Sequence, residues 1–147
     1  FTGSPYSDQM ARLGLQEGGP PDYQSLGMPY TDDPFIAKII GVESSGIVDR
    51  VSPVGAKGLM QIMPNTAAQP GFGVKPFQGD DLFDVQENVR FGTDYIYALT
   101  DKLGNKRDAA IAYNWGYGNT KKWLEQGADL NKLPKETRNY IRKLELD

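Results

Sequence analysis

Histidine and cysteine are both missing from this 147-residue chain, which closes off serine–histidine, cysteine–histidine and histidine–metal chemistry. Any catalysis falls to carboxylates, tyrosines, lysines or hydroxyls. No loop of the D-x-D-x-D-G type offers a carboxylate-only metal site, so the expectation is no metal and no cofactor. Among the acids, Glu43 stands out by position. It follows Ile36 and Ile40 at steps of four and three, with Ile39 alongside, and this is helical spacing on an apolar stripe. Most glutamates are solvated surface groups. One placed among isoleucines loses hydration and keeps its proton to higher pH, which is what a proton donor to a glycosidic oxygen needs.

Two other segments carry unusual side chains. In Gly55-Ala56-Lys57-Gly58-Leu59-Met60-Gln61-Ile62-Met63-Pro64, Leu59 and Ile62 read as core residues. The two glycines allow a close backbone approach. Gln61, flanked by Met60 and Ile62, needs a ligand or a backbone partner for its amide. In Ala112-Tyr113-Asn114-Trp115-Gly116-Tyr117-Gly118, aromatic and amide groups crowd a helix end. Trp115 alone reads as core. The cluster as a whole suits stacking on sugar rings.

The elements that must position these groups are mostly helices. Asp33 and Pro34 form an N-terminal cap signal, and Gly46 closes that helix. Pro64 halts the apolar segment before it, and Asn65-Thr66 start a short helix through Gln69. Asp84 with Glu87 resembles a capping box. Val85, Val89, Gly92, Ile96, Leu99 and Leu103 then predict a helix of roughly 18 residues ended by Gly104. Shorter helices follow over Arg107–Asn114 and Thr120–Gln126, and a last one opens at Pro134. Residues 47–57 and 70–81 read as loops, and long loops in a compact domain usually carry function. Residues 1–31, dense in glycine and proline, read as a flexible arm, with a short helix feasible only at Gln9–Leu15. The expected fold is therefore a mostly α single domain over residues 32–147, with irregular loops and at most a small β element.

Composition narrows the partners. Sixteen basic against nineteen acidic residues give a net charge of −3, without the basic excess that a nucleic-acid binder uses to neutralise phosphates. No run of about 18 apolar residues is present, so no membrane span is expected. The chain begins at Phe1, which together with the arm points to processing or to attachment to a larger chain or assembly.

Four segments in order resemble the motifs of soluble lytic transglycosylase catalytic domains. They are Glu43-Ser44; Ser52-Pro53 with Gly55-Ala56 and Gly58 to Pro64; Ala112-Tyr113-Asn114 with Gly116; and Pro134 to Tyr140. They span residues 43–140. Gly46, Ile47, Arg50 and Trp115 depart from the family pattern, Trp115 standing where a small residue is common. The resemblance implies a lysozyme-like fold with a groove for peptidoglycan strands of alternating GlcNAc and MurNAc. It implies Glu43 as the single catalytic acid and base, with Ser44 positioning the carboxylate. Ser52 and Gln61 would contact MurNAc, and Met60 and Met63 would line the groove. Tyr113 would lie beside Glu43 and Asn114 would hold the local turn, while Glu136 and Tyr140 would border the substrate. Thr137 and Arg138 are read as structural.

The implied reaction cleaves the MurNAc-β-1,4-GlcNAc bond to leave a 1,6-anhydroMurNAc end, without a second carboxylate. Two alternatives stand beside it. One is a muramidase of the same fold, in which Asp80 or Asp81 positions a water. The other is a glycan-binding module without turnover. The expected setting is the bacterial periplasm or cell envelope, or a bacteriophage virion acting there.

Overall fold

The computed structural model describes residues 21–147, so the short helix considered at Gln9–Leu15 lies outside the described residues. The described residues fall into two compact units. One takes in the chain up to Pro70 together with Lys75–Thr93, and the other comprises Gly71–Val74 and Asp94–Asp147.

The first unit opens with α1 (Tyr23–Gly27), continuous with a 3-10 turn over Met28–Tyr30. Asp22 caps α1, its carboxylate accepting from the Ser25 backbone N–H at 3.1 Å and the Ser25 hydroxyl at 2.6 Å. Helix α2 (Pro34–Ser44) begins as the sequence predicts, with Asp33 accepting from the N–H groups of Phe35 and Ile36 and with Pro34 in the first turn. Helix α1 packs on α2 at very close range. A Cβ on Gly27 would lie 2.0 Å from the Ala37 carbonyl oxygen, and one on Gly41 would lie 2.0 Å from that of Tyr23. Leu26, Ile36, Ile39 and Ile40 are fully buried there.

This moves the start of the packed fold ahead of the expected boundary at residue 31. Gly27 and Pro29 resemble tail residues, but Gly27 is the contact surface for α2 and Pro29 sits within the 3-10 turn. A breaker-rich composition counts against a long helix but leaves room for one of five residues.

After α2 the chain makes an irregular excursion with two isolated antiparallel bridges, Val51 with Lys57 and Lys57 with Ile62. Helix α3 (Pro64–Ala68) follows. Pro64 therefore opens a helix rather than only halting the preceding segment, because a proline in the first turn has no N–H to leave unbonded. Helix α4 (Val85–Leu103) matches the predicted long helix. Asp84 caps it through the Glu87 N–H at 2.9 Å, but the Glu87 carboxylate turns to Arg90 and to the Gln78 N–H at 2.5 Å instead of closing a capping box.

In the second unit, α5 (Lys106–Trp115) packs on α6 (Tyr117–Glu125) and on α7 (Lys135–Lys143). Asn105 caps α5 by accepting from Asp108 N–H at 2.8 Å. Only Gly116, with φ of 102°, separates α5 from α6, so α6 starts three residues before the Thr120 expected from sequence. Ile96, Leu99, Ala109, Ala110, Ile111 and Ile141 are buried in this unit. Among the described residues, no helix is long and apolar enough to cross a membrane.

Candidate active site

In the first unit the site is built on the last turn of α2. Glu43 is half-buried, one turn beyond the sealed Ile39 and Ile40. Its helix is closed firmly. Ser45 takes the left-handed conformation at φ 56°, and Gly46 continues it at φ 76°. The Ser44 hydroxyl donates to the Ile40 carbonyl at 3.0 Å and accepts from the Gly46 N–H at 3.2 Å. The Tyr30 hydroxyl then donates to the Gly46 carbonyl at 3.0 Å. Ser44 is fully buried, so it holds the end of the Glu43 helix from beneath and has no surface for substrate.

The loop that follows is organised by amides. Gln61 sits in the left-handed region at φ 53°, which an L-residue adopts at some strain. Its Nε2 donates to the Arg50 carbonyl at 3.1 Å and to the Gly58 carbonyl at 2.9 Å, so the backbone partner anticipated for this amide is present. Ser52 is half-buried, its hydroxyl accepting from the Ala56 N–H at 3.0 Å. Asn88 of α4 reaches in from the other side. Its Oδ1 accepts from the Met60 N–H at 2.8 Å, and its Nδ2 donates to the Lys57 and Leu82 carbonyls at 3.0 and 2.8 Å.

Because Asn88 draws the Met60 backbone inward, the Met60 side chain is fully buried, 4.0 Å from the Thr93 hydroxyl. A Cβ on Gly92 would strike it at 2.4 Å. Met60 thus packs the loop onto α4 and does not line an open surface as expected. Met63, by contrast, is 36% exposed. The alternation around this loop is set by Gly58 and Gln61, both at positive φ, and no periodicity in the sequence reveals it.

In the second unit, Tyr113 is half-buried at the end of α5, its ring edge-on to Tyr95 at 6.0 Å. Burial pushes the Tyr95 phenol above its ordinary value of 10.0. Asn114 accepts from the Thr137 hydroxyl at 2.9 Å, which ties the end of α5 to α7. Glu136 is exposed on α7, whereas Tyr140 is 5% exposed and packs inward. Tyr140 lies three residues after Thr137 on the inward face of α7, and Ile141 accompanies it. Among the described residues no cluster of three or more acids is grouped as metal ligands.

Residues 24–134 match the transglycosylase SLT domain family. The chain belongs to this family. Among relatives of the SLT domain here, the soluble lytic murein transglycosylase of Salmonella typhimurium is 34% identical over 145 residues, covering 87% of this chain and 22% of that protein. A transglycosylase of Enterobacteria phage PRD1 is 34% identical over 88 residues, covering 59% of this chain and 31% of the phage protein. Among solved structures, the 70-kDa soluble lytic transglycosylase of Escherichia coli is similar at a TM-score of 0.66 and 30% identity, over 83% of this chain and 22% of that one. An inactive Glu→Gln mutant of lytic transglycosylase Slt from Pseudomonas aeruginosa is similar at a TM-score of 0.64 and 26% identity, over 95% of this chain and 22% of that one. The chain thus spans roughly a fifth of the length of its first relatives.

Two residues that shape this SLT domain escaped the sequence reading. Tyr30 falls within the expected arm, although Tyr23, Leu26 and Tyr30 recur at three and four and mark an apolar face. Asn88 lies between Val85 and Val89 in the apolar series of α4. A polar residue three positions after Val85, on the face that buries Phe91 and Gly92, was the available signal.

Proposed function

We propose that this chain is a peptidoglycan lytic transglycosylase, cleaving the MurNAc-β-1,4-GlcNAc bond with Glu43 as its single catalytic acid and base. The observation that carries the reading is the setting of Glu43. It ends the apolar stripe of α2, half-buried, on a helix end closed by Ser44, Ser45 and the Tyr30 hydroxyl. A catalytic acid has to be held while its surroundings react, and a locked helix end supplies that. Family membership and the transglycosylase relatives support the reaction class. The inactive Glu→Gln mutant among the similar structures accords with a glutamate that the chemistry requires.

In this mechanism Glu43 gives its proton to the glycosidic oxygen as the C1–O bond of MurNAc breaks. The acetamido group of MurNAc stabilises the positive charge developing at C1. The Glu43 carboxylate then takes the proton from the C6 hydroxyl of the same sugar as that oxygen attacks C1. The products are a 1,6-anhydroMurNAc end and a free GlcNAc 4-hydroxyl, and no water is consumed. Proton transfer by a placed acid supplies roughly 10²- to 10⁴-fold, and binding along the strand supplies the remainder. Ser52, Gln61 and Met63, in the same unit as Glu43, are the residues proposed to meet substrate. The setting proposed is the bacterial cell envelope, reached from within the cell or by a phage virion, with the chain working as part of a larger protein.

The test is mass spectrometry of muropeptides released from purified peptidoglycan. Anhydro-muropeptides are expected from the wild-type chain, with release reduced at least about 100-fold by Glu43→Gln. Reducing-end products would overturn the mechanism in favour of hydrolysis, with Asp80 and Asp81 the first residues to replace. Undiminished anhydro release by Glu43→Gln would remove Glu43 from the chemistry.

A further inference from the structure

The second unit carries a depression of about 220 Å³ lined by Trp115, Asn119, Lys122, Trp123, Gln126 and Lys132. None of these residues takes part in the reaction above. They include both tryptophans of the chain. From this lining we infer a saccharide subsite that accepts a hexosamine bearing a carboxylate, such as a MurNAc unit. The inference rests on the proposed function for the choice of sugar.

The walls are fixed in place. Trp123 is 4% exposed, its indole N–H donates to the Asp129 carbonyl at 2.8 Å, and the Arg107 guanidinium lies 5.9 Å from its ring centre. Trp115 ends α5 and is only half-buried. Its carbonyl accepts from the Asn119 side-chain amide at 3.0 Å, which ties the corner at Gly116 to α6. A large aromatic kept partly open over a polar-walled hollow offers an apolar face to one side of a ligand, and neighbouring amides and ammonium groups fix its orientation. A pyranose fits this description, with one flat face of C–H groups and a rim of hydroxyls.

Charge selects among sugars. The lining holds two lysines and no acid, within a chain whose net charge is −3. A neutral sugar leaves the two ammonium groups unused, and a cationic one is repelled. A sugar with a carboxylate pairs with Lys122 or Lys132, and the side-chain amides of Asn119 and Gln126 are the groups suited to hydroxyls and an acetamido group. MurNAc has the carboxylate on its lactyl group and GlcNAc lacks it, so the subsite distinguishes the two alternating units of a glycan strand.

The experiment follows the two indole N–H signals by NMR in the ¹⁵N-labelled Glu43→Gln chain, titrated with free MurNAc or free GlcNAc. Anhydro-muropeptide release by the wild-type chain is measured in parallel. The Trp115 signal is expected to shift, with binding about fivefold weaker for GlcNAc than for MurNAc. The Lys122→Ala/Lys132→Ala double variant is expected to lose that preference, with a wild-type melting temperature reporting an intact fold. A Trp115 signal that stays still to tens of millimolar MurNAc overturns the subsite, and continued anhydro release then shows that the catalytic reading survives without it. Equal shifts with both sugars, with or without the lysines, overturn the carboxylate assignment. A MurNAc-selective shift in a chain that releases no anhydro product upholds the subsite and removes the proposed function instead.

Discussion

Asn88 satisfies three backbone groups with one buried amide: the Met60 N–H and the carbonyls of Lys57 and Leu82. Removing the amide takes this partner from the Met60 N–H and the Leu82 carbonyl, at about 1–3 kcal/mol each, whereas the Lys57 carbonyl keeps the Ile62 N–H at 2.9 Å. Asn88→Ala is therefore expected to lower the unfolding free energy by about 3 kcal/mol or more in urea titrations. Asn88→Asp separates hydrogen bonding from side-chain volume. It keeps an acceptor for Met60 but sets a carboxylate oxygen against two carbonyls, so at neutral pH it should be destabilised as much as Asn88→Ala. A wild-type midpoint for either variant would deny Asn88 this role. At this scale the sequence was readable where a side chain contradicts its surroundings. Glu43 among isoleucines and Gln61 between apolar neighbours were both noticed for that reason. The inward turn of Met60 and the outward turn of Met63 were not readable, because they depend on the positive φ of Gly58 and Gln61 and periodicity fails in such a turn.

The elements differ in how much side-chain volume their contacts tolerate. At the crossing of α1 and α2, a methyl group on Gly41 would have to displace the backbone of Tyr23. Gly41→Ala is expected to destabilise by about 1–3 kcal/mol, the usual range for overpacking, and to open the contact that supports the Glu43 helix. Gly118 lies exposed within α6 with nothing within 4 Å of its added Cβ. Gly118→Ala should therefore stabilise by roughly 0.5–1 kcal/mol through helix propensity and a less flexible unfolded chain. Thermal unfolding of the two variants should show midpoints moving in opposite directions from wild type, and a shift of both in the same direction would contradict the packing described. The long helices were legible because their apolar residues repeat every three or four positions between capping residues. Helix α1 was not, because its Gly27 serves tight packing against α2, and composition alone does not separate that use from a flexible tail.

At the scale of the whole molecule, the groups with displaced titration set a window of stability. Hydrogen bonding to Arg90 holds the Glu87 carboxyl below its ordinary value of 4.5, helped by the Gln78 N–H. The Ser25 hydroxyl and N–H hold Asp22 below 3.8. A carboxyl depressed in the folded state contributes stability that is present above its unfolded value and is lost as pH falls through its folded value. The Tyr95 phenol is displaced the other way, raised by burial. Its contribution is present below 10.0 and is lost as pH rises from there through the folded value. The melting temperature should thus be level across neutral pH and fall at both ends. The limbs can be assigned separately. Glu87→Gln removes the titrating group, so its melting temperature should fall less than that of wild type when pH drops from 6 to 3. Tyr95→Phe retains the ring beside Phe72 and Tyr113 and removes the ionisable hydroxyl, so it should flatten the alkaline limb and leave the acid limb as in wild type. If Glu87→Gln follows the wild-type curve on acidification, the Arg90 contact contributes nothing to folding, and the acid limb must come from other carboxyls of this acidic chain.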